Sequence, residues 1–185
     1  LKLKVKDESG KIVEEAATQV RVVSAEAGKG KDITLLIVGE SLTHASVYPN
    51  EIARLLALPS NPRWKMIGTH KPAGAAAGVV HEGYGGWTWA AFTSRFDPKN
   101  PEPGYKGSSP FVFAVGEPPQ GKLDLARYFA ERAGGKVPDF ITVMLGINDC
   151  FGFNPDDAKQ LDERIDGVFK EADKLIAEFR RAAPH

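Results

Sequence analysis

The run Ile33-Thr34-Leu35-Leu36-Ile37-Val38, closed by Gly39, constrains this chain more than any other stretch. It is continuously apolar and β-branched apart from one threonine, so both of its faces need cover. That pattern predicts a strand buried in a parallel sheet, not the alternating pattern of a half-solvated strand. The turn that follows, Gly39-Glu40-Ser41-Leu42-Thr43, then lies at the carboxyl end of the strand, where open α/β sheets place their ligands. Ser41 is therefore a nucleophile candidate. A serine hydroxyl in that role needs a base to take its proton and hydrogen-bond donors to stabilise the oxyanion.

At 185 residues the chain can build one domain with a sizeable core. A formal net charge of zero gives no electrostatic footprint for nucleic acid or for an anionic membrane surface. Cys150 is the single cysteine, which excludes an intrachain disulfide and a cysteine-built zinc site. No apolar stretch approaches the roughly 18 to 20 residues that span a bilayer. The opening Leu1-Lys2-Leu3-Lys4-Val5-Lys6 has neither an initiator methionine nor the profile of a signal peptide, so the chain is expected to be a fragment or a processed piece, and its compartment is not readable.

Two domains are expected. Residues 1–31 read as a β-hairpin and linker, the end of a preceding β domain or an appended edge: Leu3 and Val5 alternate, Glu8-Ser9-Gly10 is a turn, and Ile12-Val13 and Val20-Arg21-Val22-Val23 follow. Residues 32–185 read as the main α/β domain. There, Tyr48-Pro49-Asn50 opens a helix to Leu58 and Trp64 to Gly68 is a second strand. Trp87 to Phe96 is a helix, and residues 97–121, dense in proline and glycine, read as one long loop. Asp124 caps a helix running to Ala133, Phe140 to Leu145 is a third buried strand, and Asn154-Pro155 opens an amphipathic helix to Arg181. Strands alternating with helices predict a parallel sheet with right-handed crossovers.

Three segments then converge on one rim of that sheet. Ser41 follows the first strand, the glycine cluster of Glu82-Gly83-Tyr84-Gly85-Gly86-Trp87 follows the second, and Gly146-Ile147-Asn148-Asp149 follows the third. They offer a hydroxyl nucleophile, an unshielded backbone N–H and a side-chain amide, which are parts that acyl transfer requires.

In these three blocks the chain resembles the SGNH, or GDSL, hydrolase superfamily over roughly residues 32–155. The resemblance implies a three-layer α/β/α sandwich with a parallel five-stranded sheet of flavodoxin-like type, incomplete at its C-terminus, after a short N-terminal β segment. It implies a serine esterase that uses no metal and no cofactor and works through an acyl-enzyme. Ser41 would be nucleophile and N–H donor, Gly83 an N–H donor and Asn148 a side-chain donor. The form of the second block is similar to that of carbohydrate O-acetylesterases, which points to a saccharide or small-molecule ester as substrate and to an extracytoplasmic or secreted setting. Glu40 stands where the family has aspartate. The family's closing Asp-x-x-His block, source of the base and its orienting acid, does not occur in the chain. A C-terminal segment or a second chain is expected to supply it.

Each assignment has a plainer competitor. Ser41 also suits a helix cap, Asn148 a turn, and Gly85 or Gly86 rivals Gly83 as donor. His44, one helical turn beyond Ser41, is read as a rim residue contacting substrate, with a base role as the lesser reading. Trp87 and Gly86 are assigned to substrate binding, with Trp87 and Trp89 either a sugar-stacking surface or core. Adjacent His81 and Glu82 lack a third ligand at metal-site spacing, and Cys150 reads as a small packed residue. Two other functions stay open: a non-catalytic carbohydrate-binding or structural module on the same scaffold, and an acyltransferase or thioesterase.

Overall fold

A computed structural model describes residues 1–184. A hairpin comes first, β1 (Lys2–Lys6) paired antiparallel with β2 (Ile12–Ala17). Asp7 holds its turn by accepting from the Ser9 and Lys11 amides. Every residue from 1 to 27 is exposed, and the expected strand at Val20–Val23 is irregular chain: its apolar residues meet no layer that would bury them.

The apolar run forms β3 (Asp32–Gly39), whose burial rises from an exposed Asp32 to complete at Leu36, Ile37 and Val38. A single turn, α1 (Ser41–His44), and α2 (Val47–Leu56) follow, then β4 (Arg63–Ile67) and the two-residue β5 (Glu82–Gly83). After α3 (Trp89–Ser94) comes an antiparallel hairpin, β6 (Val112–Val115) with β7 (Gln120–Leu123). That hairpin corrects the expectation of an unbroken loop over 97–121. Phe111, Val112 and Phe113 are buried against the core, and the glycines and prolines around Gly116–Pro119 make its turn.

Helix α4 (Leu125–Glu131) starts at the expected cap, since Asp124 accepts from the Arg127 amide at 3.0 Å. β8 (Phe140–Met144) leads into a 3₁₀ turn, Ile147–Cys150, and α5 (Ala158–Ala182) ends the described chain. The last helix starts at Asp157, which caps the Gln160 amide, while Asn154 closes a separate turn by accepting from Asp156. Its start is therefore later than Asn154-Pro155 implied.

All four strands of the main sheet run parallel. β4 pairs with Asp32–Leu36 of β3, β5 with Val38–Gly39, and β8 with Leu35–Gly39. Because β8 shares residues of β3 with both of the others, it occupies the opposite edge, and β5 continues the edge that β4 begins. Alternation along β3 divides the core. Leu35 and Ile37 pack with Met66, Val79 and Ala53 of α2 on one face. Leu36 and Val38 pack on the other with Phe111, just before β6, and with Phe92, Tyr128, Leu175 and Phe179 of α3, α4 and α5. The sheet thus carries helices on both faces, with four strands against the five expected from the resemblance. No helix among the described residues is long and apolar enough to cross a membrane.

Thr43 fixes α1 to the sheet. It is fully buried, and a Cβ built on either Gly39 or Gly83 would lie inside its side chain. The two glycines are register partners on neighbouring strands, so one threonine packs onto both strand ends at once. A methyl group at Gly83 would have to displace packed backbone and Thr43 together. Gly83→Ala is expected to destabilise the domain by about 1–3 kcal/mol, the usual cost of overpacking, read as a lower midpoint of urea unfolding.

Candidate functional site

Register sets the site. Gly39 pairs with Gly83 on one side and with Met144 on the other, so three strands reach the same level before their chains turn out of the sheet. Ser41 lies two residues beyond that level, Gly86 three and Asn148 four. With strands spaced about 4.8 Å apart, the three segments emerge side by side.

Ser41 is exposed and opens α1. Its hydroxyl donates to Glu40 Oε2, and the same oxygen accepts from the Leu42 amide at 3.1 Å. Glu40 is 1% exposed, so its carboxylate sits under the turn as a helix cap and holds the Ser41 side chain. No imidazole bonds to Ser41 Oγ among the described residues.

The second block divides by role. Gly83 is buried and its amide donates to His81 Nδ1 at 3.1 Å, so this N–H is engaged within the block. The expectation that Gly83 supplies an oxyanion donor is corrected by that bond. Gly86 is the exposed residue of the block, its amide makes no hydrogen bond among the described residues, and its φ of 76° is a left-handed geometry that favours glycine. Trp87 is also corrected: it is 2% exposed, stacked on Tyr84 with Arg95 over its ring, and belongs to the core. Half-buried Trp89 borders the third block, where its amide donates to Asp149 Oδ2 at 3.4 Å.

Asn148 is half-buried and donates one amide hydrogen to the Trp87 carbonyl at 2.9 Å, which ties the third block to the second. Its other amide hydrogen is free to serve a ligand. Asp149 beside it is buried, and burial holds its carboxyl above the usual aspartate range. Arg164 of α5 donates to the Asp149 carbonyl, so the 3₁₀ turn is braced from two helices. Cys150 is exposed, not packed as expected, with its thiol donating to the Gly146 carbonyl at 3.3 Å.

Three histidines gather on the β5 side. His81 is fully buried; its Nδ1 accepts from Gly83, so Nε2 carries the proton and donates to Ser46 Oγ at 3.1 Å. Ser46 in turn donates to the His44 carbonyl at 3.2 Å, which supports its strained φ of 60° between α1 and α2. His44 Nδ1 and His70 Nε2 are 2.9 Å apart and share a proton. Burial, then the charge of His44, holds His70 below its ordinary value. Below them Glu82 is wholly buried yet accepts from the Thr69 amide and hydroxyl, Tyr84 and Tyr128 at 2.6 to 3.0 Å. Those donors offset the burial that raises its pKa. His70, Tyr105 and this carboxylate network were not singled out from sequence; they meet only through pairing of His70 with His81 and docking of the loop after α3.

Comparison of the chain with protein-family models, with curated proteins and with solved structures finds no match.

Burial first, and then the neighbouring imidazoles of His70 and His44, hold His81 down to about 4. An unfolded histidine titrates near 6.5, so the unfolded chain takes up this proton first. The native state loses stability as the pH falls from about 6.5 to about 4, at up to about 1.4 kcal/mol per unit, and is spared above that window. Urea midpoints at pH 7 and pH 4.5 should differ more in the native protein than in His81→Gln, whatever the variant's absolute stability.

Proposed function

We propose that this protein is a serine ester hydrolase of SGNH type, acting through an acyl-enzyme and removing small acyl groups such as acetyl from carbohydrate esters. The observation that carries the reading is the common register of Gly39, Gly83 and Met144, which brings the Ser41, Gly86 and Asn148 segments out of the sheet together. In the reaction, Ser41 Oγ attacks the ester carbonyl and its proton passes to a base. The negative charge that develops on the carbonyl oxygen is met by the backbone N–H groups of Ser41 and Gly86 and the free amide hydrogen of Asn148. Collapse releases the alcohol, and water repeats the sequence on the acyl-enzyme.

In this reading the base and its orienting carboxylate come from a C-terminal segment or a second chain, since no imidazole bonds to Ser41 Oγ among the described residues. The second edge of β8, unpaired among the described residues, supports that route. Its other edge is taken by β3, and Phe140 and Met144 remain 57% and 42% exposed on one face of the sheet. Ile165 and Phe169 of α5 are likewise exposed. A parallel strand there would end beside Asn148 and would cover side chains that water now meets. A three-layer sandwich with a fifth strand is the architecture that this addition would complete.

Ser41→Ala in the full-length protein is expected to abolish turnover of acetyl esters while leaving the fold intact; retained activity would remove the assignment. Asn148→Ala is expected to lower kcat roughly 100- to 1000-fold, as loss of one oxyanion donor does, with a smaller change in KM.

A further inference from the structure

The loop between α3 and β6 carries a side chain onto the site. Arg95, just after α3, donates from Nε to the Gly107 carbonyl at 3.0 Å and from Nη2 to the Tyr105 carbonyl at 2.7 Å. Asn100 holds the Lys106 carbonyl at 2.9 Å from within the loop. These bonds present Tyr105 edge-on to His44, at 5.2 Å and 88°, and to Tyr84, at 5.8 Å and 83°. The Tyr105 hydroxyl oxygen accepts the amide hydrogen of Gly85, the residue before the free Gly86 amide.

That bond engages the oxygen of Tyr105 as an acceptor and leaves its hydroxyl hydrogen without an acceptor among the described residues. The residue is 40% exposed. Across from it His44 spends Nδ1 on His70 and has no partner at Nε2 among the described residues. His44 lies one helical turn from Ser41. A hydroxyl donor and an imidazole nitrogen, held by packed rings beside the nucleophile, suit an alcohol group rich in hydroxyl and ether oxygens. An aliphatic chain would leave both unpaired.

We infer that Tyr105, with His44, forms a hydroxyl-binding subsite for the alcohol portion of the ester, so that Tyr105 sets specificity for saccharide over simple aryl or alkyl esters. The inference rests on the hydrolase reading for its place in turnover, while the binding it describes stands apart from the chemistry. Tyr105 donates to a sugar oxygen next to the acylated position. Its ring supplies one wall of the subsite, and its anchor on Gly85 couples that wall to the Gly86 turn.

The test is Tyr105→Phe in the full-length protein, which keeps the ring and removes the O–H. Three probes are used: a methyl mono-O-acetyl-glucopyranoside, p-nitrophenyl acetate, and methyl glucopyranoside as a ligand that cannot be hydrolysed. One neutral hydrogen bond corresponds to about a 2- to 12-fold change. The variant should therefore lose about that much in kcat/KM on the sugar acetate, mainly through KM, and about as much affinity for methyl glucopyranoside in an NMR titration. Because the variant also loses the oxygen that accepts from Gly85, turnover of p-nitrophenyl acetate should fall as well, but by less than turnover of the sugar acetate. Equal losses on both esters would mean that Tyr105 only braces Gly85, and unchanged affinity for methyl glucopyranoside would overturn the subsite. If the native protein hydrolyses neither ester, the hydrolase reading falls, and the affinity comparison still decides the subsite.

Discussion

The packing of Thr43 on Gly39 and Gly83 is the contact on which the rest of the arrangement depends. Two adjacent strands end in glycine at the same register, and only the absence of both side chains lets α1 descend onto them. Thr43 Oγ1 is then 2.6 Å from the Tyr48 hydroxyl, which links the turn to α2. With α1 seated, Glu40 is buried beneath it and Ser41 is left outward. An apolar strand, two missing Cβ atoms and one buried threonine thus place an exposed hydroxyl at the sheet's carboxyl rim.

Polar groups buried around this point hold the second block in one geometry. Glu82 gathers four donors from three segments, and His81 connects the Gly83 amide to Ser46 between the first two helices. Each group is buried but partnered, so removing one partner costs more than the bond itself is worth. Burial keeps His81 neutral, and neutrality is what lets one ring nitrogen accept from Gly83 while the other donates to Ser46. The free amide at Gly86 is a consequence, since the block's hydrogen bonds are spent on either side of it. On the far side Asn148 bonds the Trp87 carbonyl, which ties the second block to the third.

How much of this was legible in the sequence follows from which forces act locally. β3 and β8 were readable from apolar runs that only a covered sheet can hold, and α2, α4 and α5 from apolar spacing with caps or breakers. Hairpin β6–β7 was not, because the prolines and glycines of its surroundings outweighed Phe111, Val112 and Phe113, whose burial comes from α4 and, farther along the chain, from α5. β5 is two residues long and exists only because β3 offers an edge there. At the site, the positions of Ser41 and Asn148 after neighbouring strands could be read from those runs. The difference between Gly83 and Gly86 could not, since it turns on a ring nitrogen of His81. Nor could the burial of Trp87, which depends on Tyr84, Phe92 and Arg95 closing around it. Tyr105 was hidden for the same reason: its place is set by Arg95 and Gly85, not by any local pattern.

The central claim is that Ser41 is a nucleophile activated by its place at the rim, and covalent capture addresses it most directly. The full-length protein would be treated with a fluorophosphonate, which phosphonylates activated serines, and the adduct located by peptide mass spectrometry. The account predicts one adduct, on the peptide containing Ser41, absent when Ser41 is replaced by alanine. No adduct under conditions that label a serine esterase control, or an adduct confined to another residue, would contradict it.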